Sequence, residues 1–180
     1  MKLTENFTLE EFSKEPLTDY QVGLLKVLAT QLQKLRDSLQ EERIDPKKPV
    51  TIGISSGVRT MADYERLKKK GYNPSKTSDH FCGLQLNGKP CIGAADIYVK
   101  NCRVNYHDIA KRLIMMDQDA VVRVGQVIWE KNPKTGSEWI HIGNDWIYIF
   151  EAPEVVEAIN KSRKKYLQSL DNGVTYKEFK

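Results

Sequence analysis

Two of the three histidines in the chain lie in sequence surroundings that suit metal chemistry. His80 follows a polar loop, and His141 lies on a predicted strand. Between them, Asp96 lies near the start of an apolar strand, where a carboxylate needs a partner. Two imidazoles and one carboxylate are a complete set of protein ligands for a catalytic zinc ion, with the fourth position left for water. Isolated histidines and aspartates are common, so the residue types alone do not establish the site.

The helices that would position these residues can be predicted from caps and from the spacing of apolar residues. Thr8 and Thr18 each begin a capping box, the first before a short helical turn and the second before a long helix. The leucines from Leu24 to Leu39 recur every three or four residues, which predicts one buried stripe. Further helices are predicted over 62–70, over 105–116 and from Pro153 onwards, the last with Val155, Ile159, Tyr166 and Leu170 on one side.

The strands are predicted from apolar and alternating segments. They cover 50–54, 94–99, 121–130, 138–142 and 146–150. Turn sequences at 132–136 and 143–145 join the last three as hairpins. Because helices come early and hairpin strands late, the predicted class is α+β, with helices packed on a small, largely antiparallel sheet. Residues 1–180 are predicted to form one domain, in which 151–180 is a C-terminal basic helix and tail.

Composition and charge exclude several classes of protein. With 40% hydrophobic and 29% charged residues the chain is typical of a globular protein. A net charge of +4 with no recognition motif does not favour a nucleic-acid-binding domain. The apolar runs are too short for a membrane segment, and the first residues predict no secretory signal. Three cysteines cannot all pair within the chain, which argues against a disulfide scaffold.

The candidate ligands are part of a longer series of motifs. In chain order these are Ser78, His80, Gly83, Ala94 and Asp96, and then Glu138 and His141. The series resembles the signature S-x-H-x-x-G-x-A-x-D, with a later acid-x-x-His motif, of the zinc D-Ala-D-Ala carboxypeptidase family, which includes D,D-dipeptidases and phage L-alanyl-D-glutamate endolysins. Residues 56–60 resemble the family's S-G-Y-R-S element, and residues 7–12 resemble the start of phage and bacterial members. The resemblance covers residues 3 to about 150.

The resemblance implies a role for each matched residue. His80, Asp96 and His141 would hold zinc at an edge of the sheet. Glu138 would take a proton from the attacking water and pass it to the leaving amine. Arg59 would bind the carbonyl oxygen as it becomes an oxyanion.

The assignment of the base has an open alternative, and Ser78 has a secondary role. Glu130 is an alternative base, because phage-type members often carry an acid at the end of that strand. In a flat strand Glu138 and His141 point to opposite faces, so Glu138 needs a bulge or twist to reach the site. The acid-x-x-His spacing nevertheless favours Glu138. Ser78 is expected to orient a ligand or contact substrate, since no base is placed to make it a nucleophile.

The spacing between the first histidine and the aspartate departs from the family pattern. It is sixteen positions here and seven in the family, and the extra residues are 84–92. The Asn-Gly pair at 87–88 predicts a hairpin turn, which would keep both ligand-bearing ends in place and shape the substrate cleft. Cys82 and Cys91 flank the insertion and could approach each other. They are expected to be buried thiols, with zinc ligation as the alternative.

The resemblance implies zinc-dependent hydrolysis of a peptide bond in bacterial peptidoglycan, with a stem peptide or cross-bridge as the substrate. The resemblance of residues 7–12 to phage members, together with the lack of a predicted secretory signal, favours a phage or prophage lysis enzyme. Such an enzyme would be made in the cytoplasm and act on the cell wall. The alternative is a non-catalytic module that binds wall peptide in the same cleft. Glu138 and Arg59 argue against that alternative, because a pure binder needs neither a base nor an oxyanion donor.

Overall fold

The structure, a computed structural model, describes residues 1–72, 74–86, 89–145 and 166–180. The α-helices in these ranges are Leu9–Phe12 (α1), Asp19–Ser38 (α2), Met61–Lys69 (α3) and Tyr106–Gln118 (α4), with 3-10 helices at Gln40–Glu42 and Asp79–Phe81. The strands are Thr51–Ser56 (β1), Gln85–Leu86 (β2), Lys89–Pro90 (β3), Ala94–Lys100 (β4), Val124–Lys131 (β5), Glu138–Asn144 (β6), Tyr166–Ser169 (β7) and Lys177–Glu178 (β8). These elements confirm the predicted α+β class. None of the helices in these ranges combines the length and apolar composition of a membrane span.

Six of the strands in the described ranges form one sheet in the order β1-β4-β6-β5-β7-β8. Neighbouring strands are antiparallel except β5 and β7, which are parallel. Asp96 on β4 and His141 on β6 are direct partners across two adjacent strands. The prediction placed the ligands at an edge of the sheet, whereas these two strands are inner ones. Hydrogen bonding on both sides of each strand fixes the positions of both ligands.

Helix α2 packs its leucine stripe against one face of this sheet. The stripe comprises Leu24, Leu25, Leu28, Leu32, Leu35 and Leu39, all of them buried. They belong to one core cluster with Ile109 and Leu113 of α4 and with Ile140 and Ile142 of β6. Since side chains alternate along a strand, His141 faces away from this core. The hydrophobic core and the candidate ligands therefore lie on opposite faces of β6.

The prediction of a C-terminal helix is wrong for residues 166–169, which form strand β7. Tyr166 pairs with Val127 of β5, and its hydroxyl donates a hydrogen bond to Asp117 Oδ2 at 2.7 Å. Leu167 and Ser169 are buried, as alternation along a strand requires. Pairing with β5 outweighs the helical spacing of Tyr166 and Leu170. The predicted strand at 146–150, the start of the helix with Val155 and Ile159, and the basic residues 161–165 lie outside the described residues.

The insertion forms the predicted hairpin between strands β2 and β3. Gln85 pairs with Pro90 and Leu86 with Lys89, while the expected turn residues at 87–88 lie outside the described ranges. The end of the insertion is not exposed. Ile92 is fully buried, and its carbonyl accepts a hydrogen bond from Asn144 Nδ2 at 2.7 Å. The hairpin is therefore an addition to the fold, whereas the last residues of the insertion belong to its interior.

Candidate metal centre

Three ligand-type side chains converge on the sheet face opposite the core. His80 Nε2 lies 3.2 Å from Asp96 Oδ1 and 3.1 Å from His141 Nδ1. His141 Nδ1 lies 2.9 Å from Asp96 Oδ1. Zinc–ligand bonds of about 2.0–2.2 Å in a tetrahedron separate neighbouring ligand atoms by about 3.3–3.5 Å. The three residues predicted as ligands thus come together at a spacing that could hold a metal ion.

Different elements supply the three ligands. Asp96 and His141 face the same way because they are cross-strand partners on β4 and β6. His80 lies on the 3-10 helix Asp79–Phe81, whose N-cap is Ser78. The Ser78 hydroxyl accepts a hydrogen bond from the backbone N–H of His80 at 3.4 Å. The third ligand is therefore brought to the sheet by a short helix outside it.

A backbone carbonyl fixes the orientation of the His80 ring. His80 Nδ1 lies 2.7 Å from the carbonyl oxygen of Gly57. A carbonyl oxygen can only accept, so Nδ1 carries the proton, and in the neutral ring Nε2 offers its lone pair to the cluster. The backbone N–H of Arg59 donates to the carbonyl of His80 at 2.7 Å. These two bonds join the segment after β1 to the helix that carries the ligand.

Gly57 is required by a close approach of two backbone segments. A Cβ atom at this position would lie 2.2 Å from the carbonyl oxygen of Phe12, at the end of α1. The neighbouring Val58 N–H donates to that same oxygen at 2.7 Å. Any larger residue would push the segment away from α1. The glycine of the Ser-Gly-Val-Arg element therefore helps to place Arg59 at the site.

The pKa shifts of Asp96 and His141 suit metal binding. Burial opposes ionisation of Asp96, but the charge of His80 and hydrogen bonds from both histidines outweigh it and hold the pKa of Asp96 below its ordinary value. Burial lowers the pKa of His141, although Asp96 counteracts this effect. An ionised carboxylate and neutral imidazoles are the forms that bind divalent metals.

The cluster opens into a cavity of about 760 Å³, which Ser78, Arg59 and Glu130 also line. Glu130 is only 9% exposed and is the β5 partner of Trp139 on β6. It therefore faces the same way as His141. Burial and the charge of Asp96 raise the pKa of Glu130 to about 7, against a hydrogen bond from the Trp139 side chain and the charge of Arg59. A carboxyl group with this pKa can both accept and release a proton near neutral pH.

Glu138 does not reach the cluster, so the placement expected for it is wrong. From Glu138 to Gly143 the pairing of β6 with β5 runs without a register shift, and Glu138 points to the face opposite His141. Its carboxylate accepts a hydrogen bond from Trp129 Nε1 at 3.0 Å and pairs with Lys131 Nζ at 3.0 Å. The bulge that would turn Glu138 towards the face of His141 is not present in this part of β6. Glu130, the alternative base, lies on the same face of the sheet as His141 and lines the cavity.

Arg59 is half-buried and lines the cavity. Burial lowers the pKa of its guanidinium, while the carboxylates of Asp96, Asp63 and Glu130 counteract this shift. Arginine stays charged across the physiological range because its ordinary pKa is so high. Within the described residues its guanidinium forms no hydrogen bond or ion pair. Its donors are therefore available to a group inside the cavity.

The cysteines beside the insertion are not part of the cluster. Cys82 and Cys91 are both buried thiols, and the group of residues that could hold a metal comprises His80, Asp96 and His141. Burial raises the pKa of Cys82 to about 12, with smaller contributions from Asp79 and Cys91. A thiol that resists ionisation is a poor metal ligand. This agrees with the expectation of structural thiols.

The sequence did not indicate which residues form one side of the cavity. Asn172, Gly173 and Tyr176, which follow β7, line the cavity near Glu130. The sequence Asp171-Asn172-Gly173 is typical of a tight turn, and it could have indicated a hairpin instead of a helix. Tyr176 has no counterpart in the motifs described above.

The chain matches no protein-family model, no curated protein and no solved structure. Its function must therefore be inferred from its own residues and from the geometry of this site.

Proposed function

We propose that this protein is a zinc-dependent peptidase that hydrolyses a peptide bond in bacterial peptidoglycan, as a D,D-carboxypeptidase or an endolysin-type endopeptidase. The observation that carries the proposal is the His80–Asp96–His141 cluster, which opens into a cavity shared with Glu130 and Arg59. The order of the motifs, which resembles that of the zinc D-Ala-D-Ala carboxypeptidases, supports the substrate class.

The donor set fits zinc. Two imidazole nitrogens and one carboxylate oxygen are typical of catalytic zinc sites, which use three protein ligands, whereas structural sites usually have four. Within the described residues the group has three members. When bound, zinc would supply Lewis-acid activation of water and of the substrate carbonyl.

The residues of the chain would then move the proton and stabilise the charge. Glu130 takes a proton from the water that attacks the carbonyl carbon, and later gives it to the amine nitrogen when the C–N bond breaks. Its pKa of about 7 suits both steps. Arg59 donates hydrogen bonds to the carbonyl oxygen as that oxygen becomes negative. The products are one new carboxyl end and one new amino end.

The experiment compares two single substitutions of the same kind in zinc-loaded protein. Purified peptidoglycan is incubated with each variant, and new amino and carboxyl ends are measured. We expect Glu130→Gln to keep its zinc and to lose activity by about a hundredfold or more, because the base is removed and the ligands are not. Glu138→Gln is the matched control and should stay within about threefold of wild type, since its carboxylate lies on the other face of the sheet.

Three results would count against this assignment. An inactive Glu138→Gln with an active Glu130→Gln would restore Glu138 as the base. Activity in both variants would remove the carboxylate-base mechanism. Wild-type protein that binds wall peptide but releases no new ends would favour the non-catalytic binding module.

A further inference from the structure

The C-terminal hairpin, which we define as β7, the turn 170–176 and β8, forms the side of the cavity next to Glu130. Strand β7 is parallel to β5 and places Ser169 beside Glu130. Strand β8 returns antiparallel to β7. The turn between them brings Tyr176 to the cavity.

Hydrogen bonds hold the turn in one shape. Asp171 Oδ1 accepts from the backbone N–H of Val174 at 3.2 Å and of Thr175 at 2.9 Å. The Ser169 hydroxyl donates to Asp171 Oδ1 at 2.8 Å and accepts from the N–H of Gly173 at 3.0 Å. The N–H of Asn172 donates to the carbonyl of Lys131 on β5 at 3.0 Å. The turn is therefore both internally braced and joined to the strand that carries Glu130.

A second anchor holds the end of the hairpin. The ring of Phe179 stacks on His107 of α4, with centroids 4.9 Å apart and planes inclined by 17°. The backbone N–H of Phe179 donates to the carbonyl of Tyr166 at 3.1 Å. Tyr176 thus lies between two fixed points, which limits the movement of its backbone.

Gly173 shows how close Tyr176 lies to Glu130. A Cβ atom at Gly173 would lie 3.0 Å from the hydroxyl oxygen of Tyr176 and 3.3 Å from Glu130 Oε2. These two oxygens are therefore at most about 6 Å apart, so one substrate group can contact both. Gly173 has a φ of +77°, a conformation that other residues rarely adopt. A glycine here keeps the space between the two oxygens open.

We propose that Tyr176 is a catalytic residue of this site, whose phenol O–H donates a hydrogen bond to the substrate carbonyl oxygen as that oxygen gains negative charge. The inference rests on the proposed peptidase function. Tyr176 and Arg59 interact electrostatically across the cavity. Arg59 follows β1, at one edge of the sheet, and Tyr176 precedes β8, at the other edge. The two donors therefore reach the same cavity from segments that adjoin opposite edges of the sheet.

The phenol is suited to donate and not to ionise. Burial, with the charges of Glu130 and Asp96, raises the pKa of Tyr176 to about 12. The hydroxyl thus keeps its proton over several pH units above the pH at which Glu130 ionises. No proton leaves Tyr176 in the proposed step, since it only donates a hydrogen bond. A fixed donor of this kind contributes in the transition state more than in the ground state.

The test is Tyr176→Phe in the full-length, zinc-loaded protein, assayed on a soluble wall peptide that the wild type cleaves. We expect kcat to fall about 10- to 100-fold while KM stays within about threefold, because the donor acts on the transition state. Tyr20→Phe is the matched control: Tyr20 is 51% exposed against 47% for Tyr176, and it lies on α2 outside the cavity. This control should keep wild-type kcat and KM. Zinc content and Tm should be unchanged in both variants.

A second readout does not depend on turnover. A phosphinate analogue of the cleaved peptide carries a tetrahedral, negatively charged group in place of the scissile carbonyl. Its Kd for Tyr176→Phe should rise by the same factor by which kcat/KM falls.

Unchanged kcat and unchanged phosphinate affinity in Tyr176→Phe would overturn the inference and leave the proposed function intact. A rise in KM alone would also overturn it, since that result indicates ground-state binding. A wild-type protein that cleaves no wall peptide would refute the peptidase function itself, and the role of Tyr176 with it.

Discussion

At the scale of single residues, the two carboxylates at the candidate site have opposite pKa shifts. Asp96 contacts two histidines and stays ionised, whereas Glu130 is buried near the charge of Asp96 and has a pKa of about 7. Their surroundings separate two chemically similar groups into one that stays ionised and one that can gain and lose a proton near neutral pH. Divergent environments of this kind are how enzymes assign acid and base roles to like residues.

The assignment of the ligands predicts which histidines retain metal. His80→Ala and His141→Ala should each lose zinc, because either substitution leaves only two of the three donor atoms. Zinc per chain, measured by elemental analysis after dialysis, should fall from about one to near zero. His107→Ala is the control: this histidine lies on α4 and contacts Asp108, away from the cluster. Full occupancy in both ligand variants would refute the site.

The raised pKa of Glu130 predicts a pH-dependent cost in stability. The pKa rises from 4.5 to about 7 on folding, so the folded protein holds this proton more tightly than the unfolded chain. Metal-free wild type should therefore lose stability as the pH rises from about 4.5 through about 7, where Glu130 must ionise while buried. Glu130→Gln lacks this cost and should be more stable than wild type by about 1–3 kcal/mol at pH 8.

Urea unfolding at two pH values measures this effect. At pH 4 the two proteins should be of similar stability, because Glu130 is protonated in both its folded and unfolded states. If the free energies of unfolding of wild type and Glu130→Gln change equally between pH 4 and pH 8, the pKa of Glu130 is not raised in the folded protein.

At the scale of elements, the inserted hairpin and its anchored end have different roles. Pro90 of β3 lines the cavity, whereas Ile92 is fully buried. The N–H of Cys91 donates to the carbonyl of Leu84 at 2.8 Å, so these two residues already lie side by side. A short connection between them can therefore replace the hairpin without moving either end.

Replacing residues 85–90 by two glycines should leave zinc content near wild type. The relative rates on short stem peptides and on intact peptidoglycan should change, because Pro90, which lines the cavity, is removed. Ile92→Ala is the contrast and should cost about 2–5 kcal/mol in urea unfolding, as expected for a fully buried side chain. Equal rate ratios in the shortened protein and in wild type would show that the hairpin has no part in substrate selection.

At the scale of the whole molecule, the candidate metal ligands and the hydrophobic core lie on opposite faces of the sheet. The core cluster joins α2 and α4 to β4, β5 and β6, and it includes none of the three ligands. Loss of metal should therefore lower stability without unfolding the protein. This differs from small zinc domains, which are unfolded without their ion.

Removal of zinc with a chelator should lower Tm while the far-UV circular dichroism spectrum persists. Zinc that binds the folded state alone stabilises it by about 4 kcal/mol at a thousand times its Kd. Adding zinc back should restore Tm in wild type but not in His141→Ala, which lacks a ligand. Collapse of the spectrum on chelation would show that the metal is needed for folding.

The amino-acid sequence by itself determined the features that depend on residue type and local spacing. The leucine stripe of α2 was predicted correctly because a helix repeats every 3.6 residues along one segment. Its capping box was predicted correctly because both of its residues lie within one turn. The ligands His80, Asp96 and His141 could be chosen from their chemistry and from the order of the motifs. The paired strands of the insertion followed from a two-residue turn signal.

Only the tertiary structure decided which other residues face the ligands. The sequence offers Glu138 and Glu130 as candidate bases and favours Glu138, whereas the unshifted register of β6 against β5 places Glu130 on the same face of the sheet as His141. Tyr176 reaches the cavity because β7 pairs with β5, a strand some forty positions earlier in the chain. Alternation along a strand indicates which side chains share a face, but it does not indicate which distant segment the strand pairs with. Residue types and the order of the motifs therefore identified the candidate metal ligands, while long-range strand pairing brought Glu130 and Tyr176 to the same cavity.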